Sequence, residues 1–146
     1  MISQDVREFV NKQKLGFVAT ISPDNTPSLS PKGSLISWDS ENLAFADIRS
    51  LGTVNNISTN PNVEINVIDP ILRKGYRFSG TASIIKNGKT FDDIIQYYDK
   101  NGIKSAIDII ILIKVTKVSE ILSPSYDSDI SEEEIKSMWK KHYLDS

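Results

Sequence analysis

Hydrophobic and polar side chains alternate along several short stretches of the chain, as they do in β-strands that bury one face. Residues 76–85 show this most clearly, because Tyr76 and Phe78 fall on one face while Arg77 and Ser79 fall on the other. This stretch is therefore predicted to be a strand with one side in the core.

The most hydrophobic run of the chain, residues 107–118, is rich in isoleucine, and this β-branched composition favours a central strand over a helix. Four other segments carry similar residues between turn-forming ones. The connections between the first three strands are too short for crossover helices, so those strands are predicted to be antiparallel. The six predicted strands are residues 15–21, 28–37, 43–46, 63–68, 76–85 and 107–118.

Four helices are predicted from capping residues that precede apolar stripes. Ser3 and Ser50 are suited to cap the first two, and Pro61 prevents the second from continuing far. Thr90 and Ser131 each resemble the start of a capping box, with an acidic residue three positions later. Strands with helices at the start, middle and end of the chain predict an α+β protein, predominantly β, built on a closed or partly closed barrel.

Composition limits the chemistry that this chain can carry out. Its 146 residues are 39% hydrophobic and 25% charged, as expected for one globular domain over residues 1–146. The absence of cysteine removes disulfides, thiol nucleophiles and thiolate metal sites. His142 is the single histidine and leaves little for a histidine-based metal site or a catalytic triad.

Charge and hydropathy bear on partners and location. The net charge of −2 carries no general footprint for nucleic acid, and no stretch is apolar enough to cross a membrane, so neither partner is expected. The N-terminal residues are polar and charged and show no signal-peptide pattern. A cytoplasmic location is therefore expected.

Three segments hold most of the groups that can bind an anion. Taken singly, each lysine or arginine in them is more often a solvated surface charge. The middle segment leads into a helix start, where free backbone N–H groups and the helix dipole favour a phosphate, although an ordinary serine cap explains it equally well. The three sets are Ser30, Lys32, Gly33 and Ser34; Arg49, Ser50 and Thr53; and Arg73, Lys74 and Arg77.

A Pro-Lys-Gly insert at residues 31–33 interrupts the alternation of the predicted second strand. Proline lacks a donor for the strand ladder, and glycine allows a backbone to approach a ligand closely. A bulge that merely bends a barrel strand explains Pro31 and Gly33 but does not require Lys32. The chain has neither a G-x-G-x-x-G nor a Walker-type loop, so a phosphate-bearing ligand must be held differently from those of parallel nucleotide folds.

Three longer stretches follow one another in a characteristic order: GFVATISPDNTPSLSPKG, LAFADIRSLGTVNNISTNPNVEINVID and RKGYRFSGTASI. Their succession resembles the pyridoxamine 5′-phosphate oxidase-like FMN-binding split-barrel superfamily, especially its short members. The resemblance runs from about residue 15 to residue 85, and the predicted strand at 107–118 fits the last strand of the barrel. It implies a six-stranded antiparallel split β-barrel with flanking helices, and a homodimer with FMN in a cleft at the subunit interface.

The resemblance also implies which parts of this chain contact FMN. Residues 30–33 would lie against the flavin ring and ribityl chain, and residues 46 and 47 along the ring edge and ribityl chain. Arg49, Ser50 and Thr53 would bind the phosphate, and Arg73 would come from the strand across the interface. The implied cofactor-binding residues are Ser30, Pro31, Lys32, Gly33, Ala46, Asp47, Arg49, Ser50, Thr53, Asn56 and Arg73.

Two departures from the oxidase pattern speak against vitamin B6 oxidation. The oxidases carry an arginine and a histidine near the C-terminus in an R-x-H-D-R-like context, whereas this chain ends in SEEEIKSMWKKHYLDS. They also have a glutamine between two strand arginines, where this chain has Lys74, Gly75 and Tyr76. The substrate is therefore left open.

Three functions are compatible with the resemblance. The first is an FMN-dependent oxidoreductase acting on a small molecule, with NADH or NADPH as a candidate electron donor. The second is a flavin-binding or sensing module without turnover. The third is a deazaflavin- or haem-binding member of the same fold, for which His142 would be the first haem ligand to examine.

Overall fold

Seven strands and four helices follow one another in residues 1–48 and 51–145, the part of the chain that this computed structural model describes. A short 3-10 turn, Pro124–Asp127, lies between the last strand and the last helix. The elements are α1 (Gln4–Gln13), β1 (Gly16–Ile21), β2 (Pro27–Lys32), β3 (Ile36–Ser37), β4 (Asn42–Asp47), α2 (Leu51–Thr59), β5 (Asn62–Asp69), β6 (Lys74–Ile85), α3 (Lys89–Lys100), β7 (Ile109–Leu122) and α4 (Glu132–Leu144).

The strands form one antiparallel sheet in the order β2-β1-β5-β6-β7-β4-β3. The sheet curls into a half-barrel flanked by the four helices, which confirms the α+β, predominantly β class. The isoleucine-rich run forms β7, which pairs with β6 on one side and β4 on the other, as expected for a central strand.

The predicted count of six strands is wrong, because the predicted strand at residues 28–37 is two strands. Its first part, β2, pairs with β1, and its last part, β3, pairs with β4. These two strands are the opposite edges of the sheet order, so one straight strand cannot serve both. Residues 33–35 lead the chain from one edge of the sheet to the other, so only three residues separate the end of β2 from the start of β3.

The helix caps agree with the sequence at two of the three positions that the structure describes. The Ser3 hydroxyl accepts a hydrogen bond from the Val6 N–H, and the Ser131 hydroxyl accepts one from the Glu134 N–H. The predicted capping box at Thr90 is wrong, since the cap of α3 is Gly88, two residues before Thr90, and it makes no side-chain bond. The acidic partner that the box required, Asp93, forms an ion pair with Lys89 at 2.7 Å instead.

Two hydrophobic clusters lie on the two faces of β4. Inside the curled sheet, Leu43 and Phe45 pack with residues of β5, β6 and β7 beneath α1 and α2. On the outer face, Ala44 and Ala46 pack against Ile94 and Tyr98 of α3 together with Ile36 and Ile110. The small side chains on the outer face allow α3 to lie close to the strand, and both faces of β4 are therefore buried.

None of the helices within residues 1–48 and 51–145 combines the length and the apolar character that a membrane crossing requires.

Gly75 sits where β6 passes close to the backbone of β5, and this position should not accept a side chain. A Cβ at Gly75 would lie 1.9 Å from the Val67 carbonyl oxygen, whereas a Cβ at Gly52 in α2 would meet no described atom within 4 Å. We expect Gly75→Ala to lower the free energy of unfolding by about 1–3 kcal/mol. Gly52→Ala should raise it by up to about 1 kcal/mol, because alanine is the better helix former.

Urea unfolding of the two variants beside the wild type measures this difference. Equal stability of Gly75→Ala and the wild type would contradict the close approach of β5 and β6.

Candidate functional site

A cleft of about 460 Å³ opens where β2 ends, beside the end of β4. Its volume lies within the range of roughly 300–1,000 Å³ that small-molecule sites occupy. Apolar side chains form much of its wall, and one lysine and two serines contribute polar groups. The lining residues are Ser30, Pro31, Lys32, Gly33, Ser34, Ala46, Ile48 and Ile103.

Lys32 is a buried cation on the floor of this cleft. Only 7% of its surface is exposed, and its Nζ lies 5.4 Å from the centroid of the Phe45 ring. Among the described residues, its ammonium forms no ion pair within 4 Å. Burial lowers the pKa of Lys32 because it penalises the charged form, and the negative charge of Asp47 opposes that shift. The cleft therefore contains a positive charge that an anionic ligand would stabilise.

Gly33 leaves one side of the floor open. A Cβ built at Gly33 would meet no described heavy atom within 4 Å. A ligand can therefore approach this backbone more closely than it could approach a residue with a side chain.

Ser34 ties the floor to β4 through its side chain. Its Oγ accepts a hydrogen bond from the Ala46 N–H at 3.0 Å and donates one to the Ala46 carbonyl at 3.3 Å. The β3–β4 register pairs Ile36 with Ala44, so Ser34 lies opposite Ala46 when that register is extended by two residues. The hydroxyl therefore makes the bonds that the main chain of a strand residue would make.

Tyr98 holds the same segment from the outer side. This side chain of α3 is fully buried, and its hydroxyl donates a hydrogen bond of 2.7 Å to the Ser34 carbonyl. Burial raises the pKa of Tyr98 well above its ordinary value, so the hydroxyl keeps its proton and remains a donor.

The start of α2 lies close in sequence to the cleft. This helix begins at Leu51, shortly after Ile48 of the cleft lining, and Thr53 in its first turn is buried. Free N–H groups in the first turn of a helix favour a phosphate. Arg49 and Ser50, the other two predicted phosphate ligands, lie outside the described residues.

The structure brings five of the predicted cofactor-binding residues together in the cleft: Ser30, Pro31, Lys32, Gly33 and Ala46.

Two further predicted residues, Asp47 and Asn56, do not line the cleft. Asp47 is half-buried at the end of β4, directly after Ala46. Asn56 lies one turn beyond Thr53 in α2, but its side-chain amide donates to the Thr20 hydroxyl at 3.0 Å in a buried contact with β1. Asn56 is therefore directed at the barrel strand rather than into the cleft lining.

Arg73 stands apart from the cleft, in the turn between β5 and β6. Its guanidinium carbon lies 3.8 Å from the centre of the Trp139 ring, and its Nη1 donates to the Tyr143 hydroxyl at 3.2 Å. Within one chain Arg73 thus binds α4. Its role across a subunit interface stays a prediction.

His142 belongs to the same aromatic group on α4 and not to the cleft. Its ring centroid lies 5.3 Å from that of Trp139 and 5.1 Å from that of Tyr143. Within the described part of the chain, no three His, Asp or Glu side chains are grouped so that they could hold a metal ion.

Sequence reasoning missed three contributors to the site. Ile48 and Ile103 line the cleft, and Tyr98 fixes its floor. Tyr98 lies 64 positions after Ser34 in the sequence, and nothing local to either residue indicates their contact. Ser34 was named as an anion-binding group, whereas its hydroxyl is engaged with Ala46.

Comparison with known proteins identifies the family. The sequence profile described as pyridoxamine 5′-phosphate oxidase matches residues 2–121, and the chain belongs to this family. No curated protein sequence matches the chain significantly.

Solved structures show the same fold. HupZ of Group A Streptococcus is 27% identical, with a TM-score of 0.75 over 84% of this chain and 96% of that one. An FMN-binding protein from Syntrophomonas wolfei subsp. wolfei is 15% identical, with a TM-score of 0.70 over 81% and 84%. HutZ, the haem storage protein from Vibrio cholerae, is 17% identical, with a TM-score of 0.64 over 84% and 95%. The last two are similar in fold alone.

Lys32→Met should change how stability depends on pH. The pKa of Lys32 in the folded protein is below its ordinary value of 10.5, so the unfolded chain binds more protons in the window between the two values. The wild type should therefore gain stability relative to Lys32→Met as pH rises through this window.

Urea unfolding at several alkaline pH values measures this difference. Lys86→Met is the matched control, because Lys86 is exposed and the same exchange of lysine for methionine there removes no buried side chain. A difference between Lys32→Met and the wild type that does not vary with pH would contradict the lowered pKa of Lys32.

Proposed function

We propose that this protein binds FMN in the cleft at residues 30–34 and acts as a flavin-dependent oxidoreductase on a small molecule. The observation that carries the proposal is the Lys32 side chain, which is only 7% exposed, lies beside an open glycine backbone and has no ion-pair partner among the described residues. A buried charge without a partner is costly to folding, so its retention favours a ligand that supplies the opposite charge.

The other walls suit the rest of such a ligand. Pro31, Ala46 and Ile48 provide apolar surface for a planar ring, and Gly33 lets the ring approach the main chain. The first turn of α2, which follows β4 in the chain, would supply N–H groups for a phosphate. The residues present therefore fit a flavin mononucleotide.

Haem is less well matched to this cleft. A propionate could also pair with Lys32, but an axial ligand is the usual further requirement of bound haem. The one histidine of the chain lies in the aromatic group of α4, and the chain has no cysteine.

FMN, when bound, supplies the redox chemistry that the side chains of this protein lack. The chain would contribute position and electrostatics: Lys32 would supply a positive charge at the floor of the cleft, and the floor would fix where the ring lies. No acid or base among the cleft residues is assigned to catalysis.

The cytoplasmic location of the protein stays a prediction.

We also propose that the protein is a homodimer with the cleft at the interface. Phe17 is 39% exposed and Leu29 is 68% exposed. The strand register pairs Phe17 with Pro31 and Leu29 with Ala19, so these four residues form an apolar patch on the outer face of β1 and β2. Pro31 also lines the cleft, so a second copy seated on this apolar patch would border the cofactor.

Titration of the purified apoprotein with FMN, followed by flavin fluorescence, tests the cofactor. We expect saturable binding, and Lys32→Met should weaken it by about 1.5–3 kcal/mol, the range for a hydrogen bond to a charged group. Lys86→Met serves as the control and should bind like the wild type. Failure to bind FMN together with tight binding of haemin or coenzyme F420 would overturn the assignment of the cofactor.

Anaerobic addition of NADH or NADPH to the FMN-loaded protein then tests turnover. Bleaching of the flavin absorption within seconds supports an oxidoreductase, whereas an unchanged spectrum with every donor and substrate supplied supports a flavin-binding module.

Light scattering tests the dimer. The wild type should have twice the 16.3 kDa mass of one chain, and Leu29→Lys should shift the mass towards 16.3 kDa because it places a charge in the apolar patch. Leu144→Lys, at an exposed position near the chain end, is the control and should leave the mass unchanged. A wild-type monomer would remove the interface from the proposal.

A further inference from the structure

The floor of the cleft also borders a second cavity. This cavity of about 130 Å³ is more enclosed than the cleft and is lined by residues of α1, α3 and the floor. Gly33, Ser34 and Ile103 line both the cleft and this cavity. Van der Waals packing therefore supports the main chain at residues 33 and 34 only in part.

Hydrogen bonds supply the remaining support. The Ser34 hydroxyl bonds both main-chain groups of Ala46, and the Ser34 carbonyl accepts from the Tyr98 hydroxyl. Leu35, which is 1% exposed, anchors the following residue inside the barrel. The Tyr98 bond is the contact that fixes the Ser34 peptide beside this second cavity.

We propose that Tyr98 is a positioning residue for the cofactor. Through its hydroxyl, Tyr98 fixes the position of the Gly33–Ser34 main chain and therefore the position of the neighbouring Lys32. The proposal rests on the proposed function for its effect on FMN, while its effect on the floor holds without a ligand. When the hydroxyl is lost, the Ser34 carbonyl is left without this donor in a buried place, and the floor can shift towards the second cavity.

Tyr98→Phe removes only the hydroxyl and keeps the ring in the core. Tyr97→Phe is the matched control, because Tyr97 lies on the same helix and lines the same cavity, and its ring packs against Trp38. Both variants should fold, so their differences report on one hydrogen bond.

Hydrogen exchange of the apoprotein tests the floor directly. The Ala46 amide is bonded to the Ser34 hydroxyl, and its exchange should become about tenfold faster in Tyr98→Phe. Amides of β5, which pairs with β1 and β6 and not with β4, should keep their wild-type rates in both variants. Ser34→Ala should accelerate the Ala46 amide further, because it removes that bond itself.

FMN binding and the visible spectrum of the bound flavin test the consequence. Tyr98→Phe should bind FMN about tenfold more weakly and shift the flavin absorption bands, while Tyr97→Phe should match the wild type in both. If Ala46 exchanges faster in Tyr98→Phe but neither the wild type nor any variant binds FMN, the role of Tyr98 in positioning the floor stands and the assignment of FMN as the cofactor is overturned. Wild-type exchange and wild-type FMN affinity in Tyr98→Phe would overturn the positioning role.

Discussion

Three residues, 33–35, join the two opposite edges of the sheet, and much of the structure depends on that connection. β2 and β3 stand at the ends of the strand order, so the sheet must curl until these edges come within reach of one another. The connection is too short to relax away from the barrel. The Ser34 hydroxyl holds it to β4 by bonding both main-chain groups of Ala46, as a paired strand residue would. The buried Leu35 side chain anchors it in the core.

The same connection explains why a charged residue is buried. Lys32 is the last residue of β2, and the turn that follows carries its side chain beneath the cleft and over the Phe45 ring. Attraction to an aromatic face offsets part of the cost of removing an ammonium from water. Burial lowers the pKa of Lys32, and the negative charge of Asp47 opposes that shift. The cleft, the charge and the turn are thus parts of one local structure.

Much of this architecture could be predicted from the sequence, because strand periodicity and helix caps are local signals. Alternation along residues 76–85 and the isoleucine-rich run located β6 and β7, and two serine caps marked α1 and α4. The order of three motifs pointed to the family, and five of the predicted site residues meet in one cleft.

The errors arose where distant parts of the chain decide the structure. A two-residue strand such as β3 has no periodicity of its own and exists because β4 pairs with it. The bond between Tyr98 and Ser34 joins residues far apart in sequence, and Arg73 is drawn to aromatic side chains of α4 that lie some seventy residues later. Such contacts follow from the packed fold and not from local composition.

A crystal structure of the protein grown with FMN tests the central claim most directly. The account predicts electron density for the flavin over Gly33, with the Lys32 ammonium within hydrogen-bond distance of a ligand oxygen or nitrogen. Flavin density elsewhere, or a Lys32 side chain turned to solvent with FMN bound, would contradict it.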